Sequence, residues 1–135
     1  MPAPALDVAR LDLLDPTLVP LPVTQITSHV LDTSRGEPAA DLLITLQRRC
    51  GDDWLMLGSA STDGDGRVGD FTGSDDVLPG GVYRLTFYAG DYHERMGLAA
   101  FWPEVDVAFE IAGDGRHYHV PLLLNPFGYS TYRGS

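Results

Sequence analysis

"VYRLTFYA", residues 82–89, decides the fold class. Tyr83, Leu85 and Phe87 fall on one side of an extended chain while Arg84 and Thr86 fall on the other, the two-residue period of a half-buried strand. "VDVAFEIA", residues 105–112, repeats the pattern, with Val105, Val107, Phe109 and Ile111 set against Asp106, Ala108 and Glu110. Working outward, "QITSHVLD" (25–32), "DLLITLQRR" (41–49), "WLMLGSAST" (54–62), "HYHVPLLL" (117–124) and "YSTYRGS" (129–135) are further short runs, bounded by Gly, Pro, Asp and Ser clusters. That punctuation belongs to an all-β protein. Seven or eight strands are expected, folded as a two-sheet β-sandwich that buries the apolar faces. Only "GDYHERMGLAAF" (90–101) loosens into a helical pattern, and it predicts one short helix with Asp91 near its start.

The chain has 135 residues, of which 44% are hydrophobic, enough for one domain with a proper core. No run approaches the roughly 20 apolar residues a bilayer-spanning helix needs, so a soluble protein is expected. Residues 1–23, "MPAPALDVARLDLLDPTLVPLPV", read as an N-terminal extension, a linker or arm whose prolines oppose a continuous helix, ahead of a domain over 24–135. Its order of charges is wrong for a secretory signal, which favours the cytoplasm. A single cysteine, Cys50, rules out an internal disulfide and suits a reducing compartment. Acidic residues outnumber basic ones 19 to 9, a net charge of −10, which makes nucleic acid and anionic membrane poor partners. Positive groups that meet an electron-rich substrate must then be placed locally against the overall field.

Three histidines fall on predicted strands: His29, His117 and His119. Residues two apart on a strand share a face, so His117 and His119 with His29 could form a three-histidine zinc site with an open position. The same imidazoles also suit metal-free chemistry, in which one takes a proton from water, another orients it, and an arginine such as Arg67 or Arg133 stabilises the anion formed on an attacked carbonyl. The residues alone leave both readings open. The tetrapeptide "GDGR" occurs at 64–67 and 113–116 and reads first as a hairpin turn. The carboxylates of "DGDG" lack the further ligands and distal Glu of a calcium loop. No serine lies in a nucleophile elbow, and Cys50, beside two arginines but next to a turn, is a minor candidate for a reactive thiol.

Five ordered segments, "SHVLDTSRGEPA", "TDGDGR", "VYRLTFYAGDY", "FWPEVDVAFEI" and "HYHVPLLLNPFGYSTYRGS", resemble the 5-hydroxyisourate hydrolases, the enzyme branch of the transthyretin-like family. The most specific is the closing "YRGS", which separates the hydrolases from the hormone carrier. The resemblance covers 24–135. It implies a transthyretin-like sandwich of two four-stranded sheets, assembled as a homotetramer (a dimer of dimers) with metal-free, cofactor-free active sites at the dimer–dimer interface. It implies catalytic roles for His29, Arg67 and His119, and substrate binding by Tyr132, Arg133, Gly134 and Ser135. Tyr132 would pack and hydrogen-bond, Arg133 bring charge, Gly134 allow close approach, and Ser135 supply a hydroxyl and a carboxylate. His117 and Arg116 match no catalytic position of the family. His93 stands where relatives commonly have an aromatic and Trp102 where Tyr is usual, departures that bear on packing or substrate access. The implied reaction is ring-opening of 5-hydroxyisourate to 2-oxo-4-hydroxy-4-carboxy-5-ureidoimidazoline. The rival is a transthyretin-like carrier of a small aromatic ligand without chemistry.

Overall fold

The computed structural model describes residues 25–135; the N-terminal extension and its boundary at 23/24 lie outside them. The elements are β1 (Ile26–Asp32), β2 (Glu37–Pro38), β3 (Leu43–Cys50), β4 (Asp53–Ser61), β5 (Arg67–Val68), β6 (Gly81–Phe87), α1 (Ala89–Arg95), β7 (Val105–Ile111), β8 (Tyr118–His119), β9 (Leu122–Asn125) and β10 (Gly128–Thr131). They form two sheets. One is antiparallel with order β4-β3-β6-β7, and its central pair contains the alternation read in residues 82–89. The other runs β10-β9-β1-β2, with β5 and β8 also pairing to β1, so it holds six segments where two four-stranded sheets were expected.

Between the sheets lie Val30, Leu42, Ile44, Tyr83, Leu85, Phe87, Leu122 and Leu124, all 0% exposed. Burying each such side chain stabilises the fold by roughly 1.5–3 kcal/mol. This is the sandwich the alternation called for.

Three local expectations need correction. The run 117–124 is not one strand, because Pro121 has no N–H to give a ladder and the pairing lapses between His119 and Leu122. The run 129–135 is not a strand to its end; β10 stops at Thr131, and pairing resumes only as an isolated bridge between Gly134 and His119. The helix has Asp91 in its first turn as expected, but it spans only Ala89–Arg95 and does not run on to Phe101; Tyr88 is its N-cap, with no side-chain cap. Seven residues cannot hold a helix alone. Tertiary contacts hold it: Tyr92 is fully buried and its hydroxyl donates to Asp32 Oδ2 at 2.7 Å, tying α1 to the end of β1.

Candidate active site

Strand β1 alternates without a break: Ile26, Ser28, Val30 and Asp32 are buried, while Thr27, His29 and Leu31 point outward. Its two flanking partners then fix the site. Arg67 of β5 lies opposite His29 in the antiparallel register, and His119 of β8 lies opposite Thr27 in the parallel one. Directly opposed residues project from the same face with Cβ atoms roughly 4.5–5.5 Å apart. Thr27, His29, Arg67 and His119 therefore share one outward patch of the sheet. Two-residue strands suffice for this.

The turn that delivers Arg67 is held by Asp63, whose Oδ1 accepts the N–H of Asp65 and of Arg67, each at 2.9 Å. These bonds hold its carboxyl below the usual aspartate range, with smaller help from the charges of Arg67 and His29. Gly66, at φ +76, donates its N–H to the Asp63 carbonyl, and a Cβ there would lie 2.4 Å from the Val30 carbonyl oxygen. Only glycine fits. His29 donates from Nε2 to the Asp65 carbonyl at 2.9 Å. Since a carbonyl can only accept, the hydrogen is on Nε2, and neutral His29 keeps its lone pair on Nδ1.

His119 is held from two sides. Its Nδ1 lies 2.8 Å from Thr27 Oγ1, and its carbonyl accepts the Gly134 N–H at 2.8 Å. The tail comes so close that a Cβ on Gly134 would be 2.5 Å from His119 Cδ2. Burial, followed by the charges of His117, Arg67 and His29, pushes His119 below the ordinary histidine range. It is neutral at neutral pH, and no described residue hydrogen-bonds its Nε2. That nitrogen can take a proton when the ring's own hydrogen is on Nδ1.

The remaining candidates divide. Tyr132 and Arg133 line a different space, a cavity of about 240 Å³ bounded also by Val107, Phe109, Tyr118 and Val120, with none of His29, Arg67 or His119 in its wall. Arg133 sits over the Tyr118 ring at 4.7 Å. Ser135 is exposed beside Gly134. Among the described residues no group of three His, Cys, Asp or Glu side chains is placed to hold a metal ion. The zinc arrangement is not assembled in this chain, because Thr27 sits between His117 and His119 while His29 bonds Asp65. The calcium reading of 63–66 meets a carboxylate already engaged by its own turn. The second "GDGR" is likewise a turn, closed by an Arg116–Asp114 ion pair at 3.2 Å. Cys50 is a free, exposed thiol at the end of β3. Thr27 went unnoticed in the sequence, where a strand threonine looks ordinary, and Asp63 was weighed only as a turn carboxylate of "DGDG".

Fold and site together define a transthyretin-like β-sandwich with imidazoles and a guanidinium gathered on one sheet face. The chain belongs to the HIUase/Transthyretin family, whose model matches residues 26–134. It is 45% identical over 115 residues to a 5-hydroxyisourate hydrolase of Rhizobium meliloti, covering 82% of this chain and 96% of the relative. A probable 5-hydroxyisourate hydrolase of Caenorhabditis elegans is 44% identical over 115 residues, covering 85% and 84%. Among solved structures, Klebsiella pneumoniae 5-hydroxyisourate hydrolase matches with TM-score 0.72 and 36% identity, covering 83% of this chain and 100% of that one. Sea bream transthyretin bound to thyroxine matches with TM-score 0.77 and 28% identity, covering 82% and 95%. Shape favours neither branch; identity favours the hydrolases.

Proposed function

We propose that this chain hydrolyses 5-hydroxyisourate to 2-oxo-4-hydroxy-4-carboxy-5-ureidoimidazoline, as a cyclic amidase of urate breakdown that needs no metal. The carrying observation is the pairing of Arg67 with His29 and of His119 with Thr27 on one face of β1. A carrier needs hydrophobic shape and has no use for an unprotonated imidazole nitrogen beside a guanidinium. In the mechanism, neutral His119 takes a proton at Nε2 from a water oriented by His29, and the resulting hydroxide adds to a ring carbonyl of the lactam. Arg67, whose guanidinium has no hydrogen bond to the described residues, stabilises the oxyanion. Collapse breaks the C–N bond, and the proton on His119 passes to the departing ring nitrogen.

In one chain this face is open, and a cleft that excludes water requires a second surface over it. We therefore read the working form as a homotetramer, a dimer of dimers whose facing β1 sheets enclose substrate, with Tyr132, Arg133, Gly134 and Ser135 contributing to its binding. A cytoplasmic setting suits the single free thiol.

The test is the ultraviolet decay of freshly generated 5-hydroxyisourate with wild type, wild type plus chelator, and a variant lacking residues 132–135. Faster decay with wild type, unaffected by chelator and lost in the truncated variant, is expected. Decay no faster than in buffer overturns the hydrolase reading and returns the chain to the carriers.

A further inference from the structure

A threonine hydroxyl has one hydrogen, and at Thr27 two imidazoles stand within reach of it. Its Oγ1 lies 2.8 Å from His119 Nδ1 and 2.8 Å from His117 Nε2. The two rings lie 6.3 Å apart between centroids and 25° from parallel, so they flank the hydroxyl side by side. Accepting from both would leave the hydroxyl hydrogen with no acceptor among the described residues, so Oγ1 donates to one nitrogen and accepts from the other. Two arrangements satisfy this. If His117 carries its hydrogen on Nε2, Thr27 donates to His119 Nδ1, and neutral His119 must hold its own hydrogen on Nε2, where it cannot act as a base. If instead Thr27 donates to His117 Nε2, His119 donates from Nδ1 and presents a lone pair on Nε2 to the open face.

We propose that His117 is a positioning residue for the hydrolysis: by accepting the Thr27 hydrogen at Nε2, it holds His119 in the Nδ1–H form and keeps Nε2 free for the proton of water. This rests on the hydrolase reading above. The protons balance without His117 changing charge. Water gives its proton to His119 Nε2, hydroxide bonds the carbonyl carbon, the C–N bond breaks, and the same proton leaves Nε2 for the ring nitrogen; Thr27 and His117 keep their hydrogens throughout. The titratable and charged groups facing His119 are His117 across Thr27, Arg67 from β5 and His29 from β1, while Gly134 covers the Cδ2 edge and adds no side chain. A charged His117 would turn its Nε2 into a donor and reverse the chain, so the device works only while His117 is neutral.

The experiment compares His117→Phe, which has no acceptor, with His117→Gln, whose Oε1 reaches the place of Nε2. Imidazole ¹⁵N spectra of the substrate-free proteins give the His119 tautomer, and the ultraviolet assay gives kcat and KM. Wild type and H117Q should show Nδ1–H, and H117F should show Nε2–H. In H117F, kcat should fall about tenfold or more with KM little changed, while H117Q stays within about threefold of wild type. A wild type already in the Nε2–H form, an H117F with the wild-type tautomer, or equal losses in both variants overturns the proposal. Should wild type lack hydrolytic activity while H117F still switches the tautomer, the proposed reaction falls and the hydrogen-bonded chain stands.

Discussion

His119 and His93 are both pushed below the ordinary histidine range, and burial is the leading cause in each. Their surroundings differ in everything else. His119 has one nitrogen against Thr27, the tail along its ring edge and the other nitrogen open on the sheet face. His93 lies in α1 at 1% exposure, edge-on to Tyr92, and neither ring nitrogen has a hydrogen-bond partner among the described residues. Desolvation keeps both neutral, but only a held and accessible ring can do chemistry with that neutrality. His93 holds a position where the resemblance led one to expect an aromatic ring, and it is buried like one.

The widest gap between the two sites should appear on substitution. His119→Ala is expected to lower turnover by about 10²- to 10⁴-fold with circular dichroism unchanged, whereas His93→Phe should leave turnover near wild type. Normal turnover in His119→Ala removes the distinction altogether. Next in size is Gly134→Ala, whose new methyl must displace the His119 ring or the tail. A misplacement of that order can lower kcat by up to about 10²-fold, and the thermal midpoint should barely move. A midpoint that collapses along with the rate would make Gly134 a folding residue.

Smaller, and diagnostic of His119 alone, is the pH profile. If neutral His119 is the base, kcat/KM rises with pH through its titration and then levels, and the acid limb falls below about 6.5, the ordinary histidine value. A limb above that value breaks the assignment. The least effect concerns His93 and stability. The unfolded chain binds a proton on this residue at its ordinary value and the folded chain only at lower pH, so the stability it contributes is intact above about 6.5 and declines as pH falls through the window beneath. In His93→Phe the loss of melting temperature between about pH 7.5 and 5 should shrink by a few degrees, as thermal melts would show. An unchanged loss would place the acid sensitivity elsewhere.

The difference between these histidines was not written in the sequence. Half-buried strands announce themselves locally, because Tyr83, Leu85 and Phe87 alternate within one short run, and the sandwich followed from a handful of such runs. Strands of two residues have no period to detect, so β2 and β5 were missed as strands, and β5 carries Arg67. The candidate catalytic trio came from resemblance. What the residues could not provide was the register joining Thr27 to His119 across 92 positions, since pairing between distant segments leaves no trace in local spacing. Thr27 stayed invisible for that reason. The tail misled in the opposite way: its Tyr, Thr and Ser look like strand to the end, yet the chain leaves β10 after Thr131 and returns to the sheet only at Gly134.

β1 carries its two duties on opposite sides, core contacts at Ile26, Ser28, Val30 and Asp32 and the candidate site at Thr27 and His29. Side-chain direction reverses at every step of an extended chain, so adding or deleting one amino acid between Ile26 and Asp32 would turn an imidazole into the interior and a valine out to water. Such a change is all or nothing. Lineages that vary this enzyme can exchange residues along the strand one at a time, but a single-codon insertion or deletion within it would abolish packing and site in a single event.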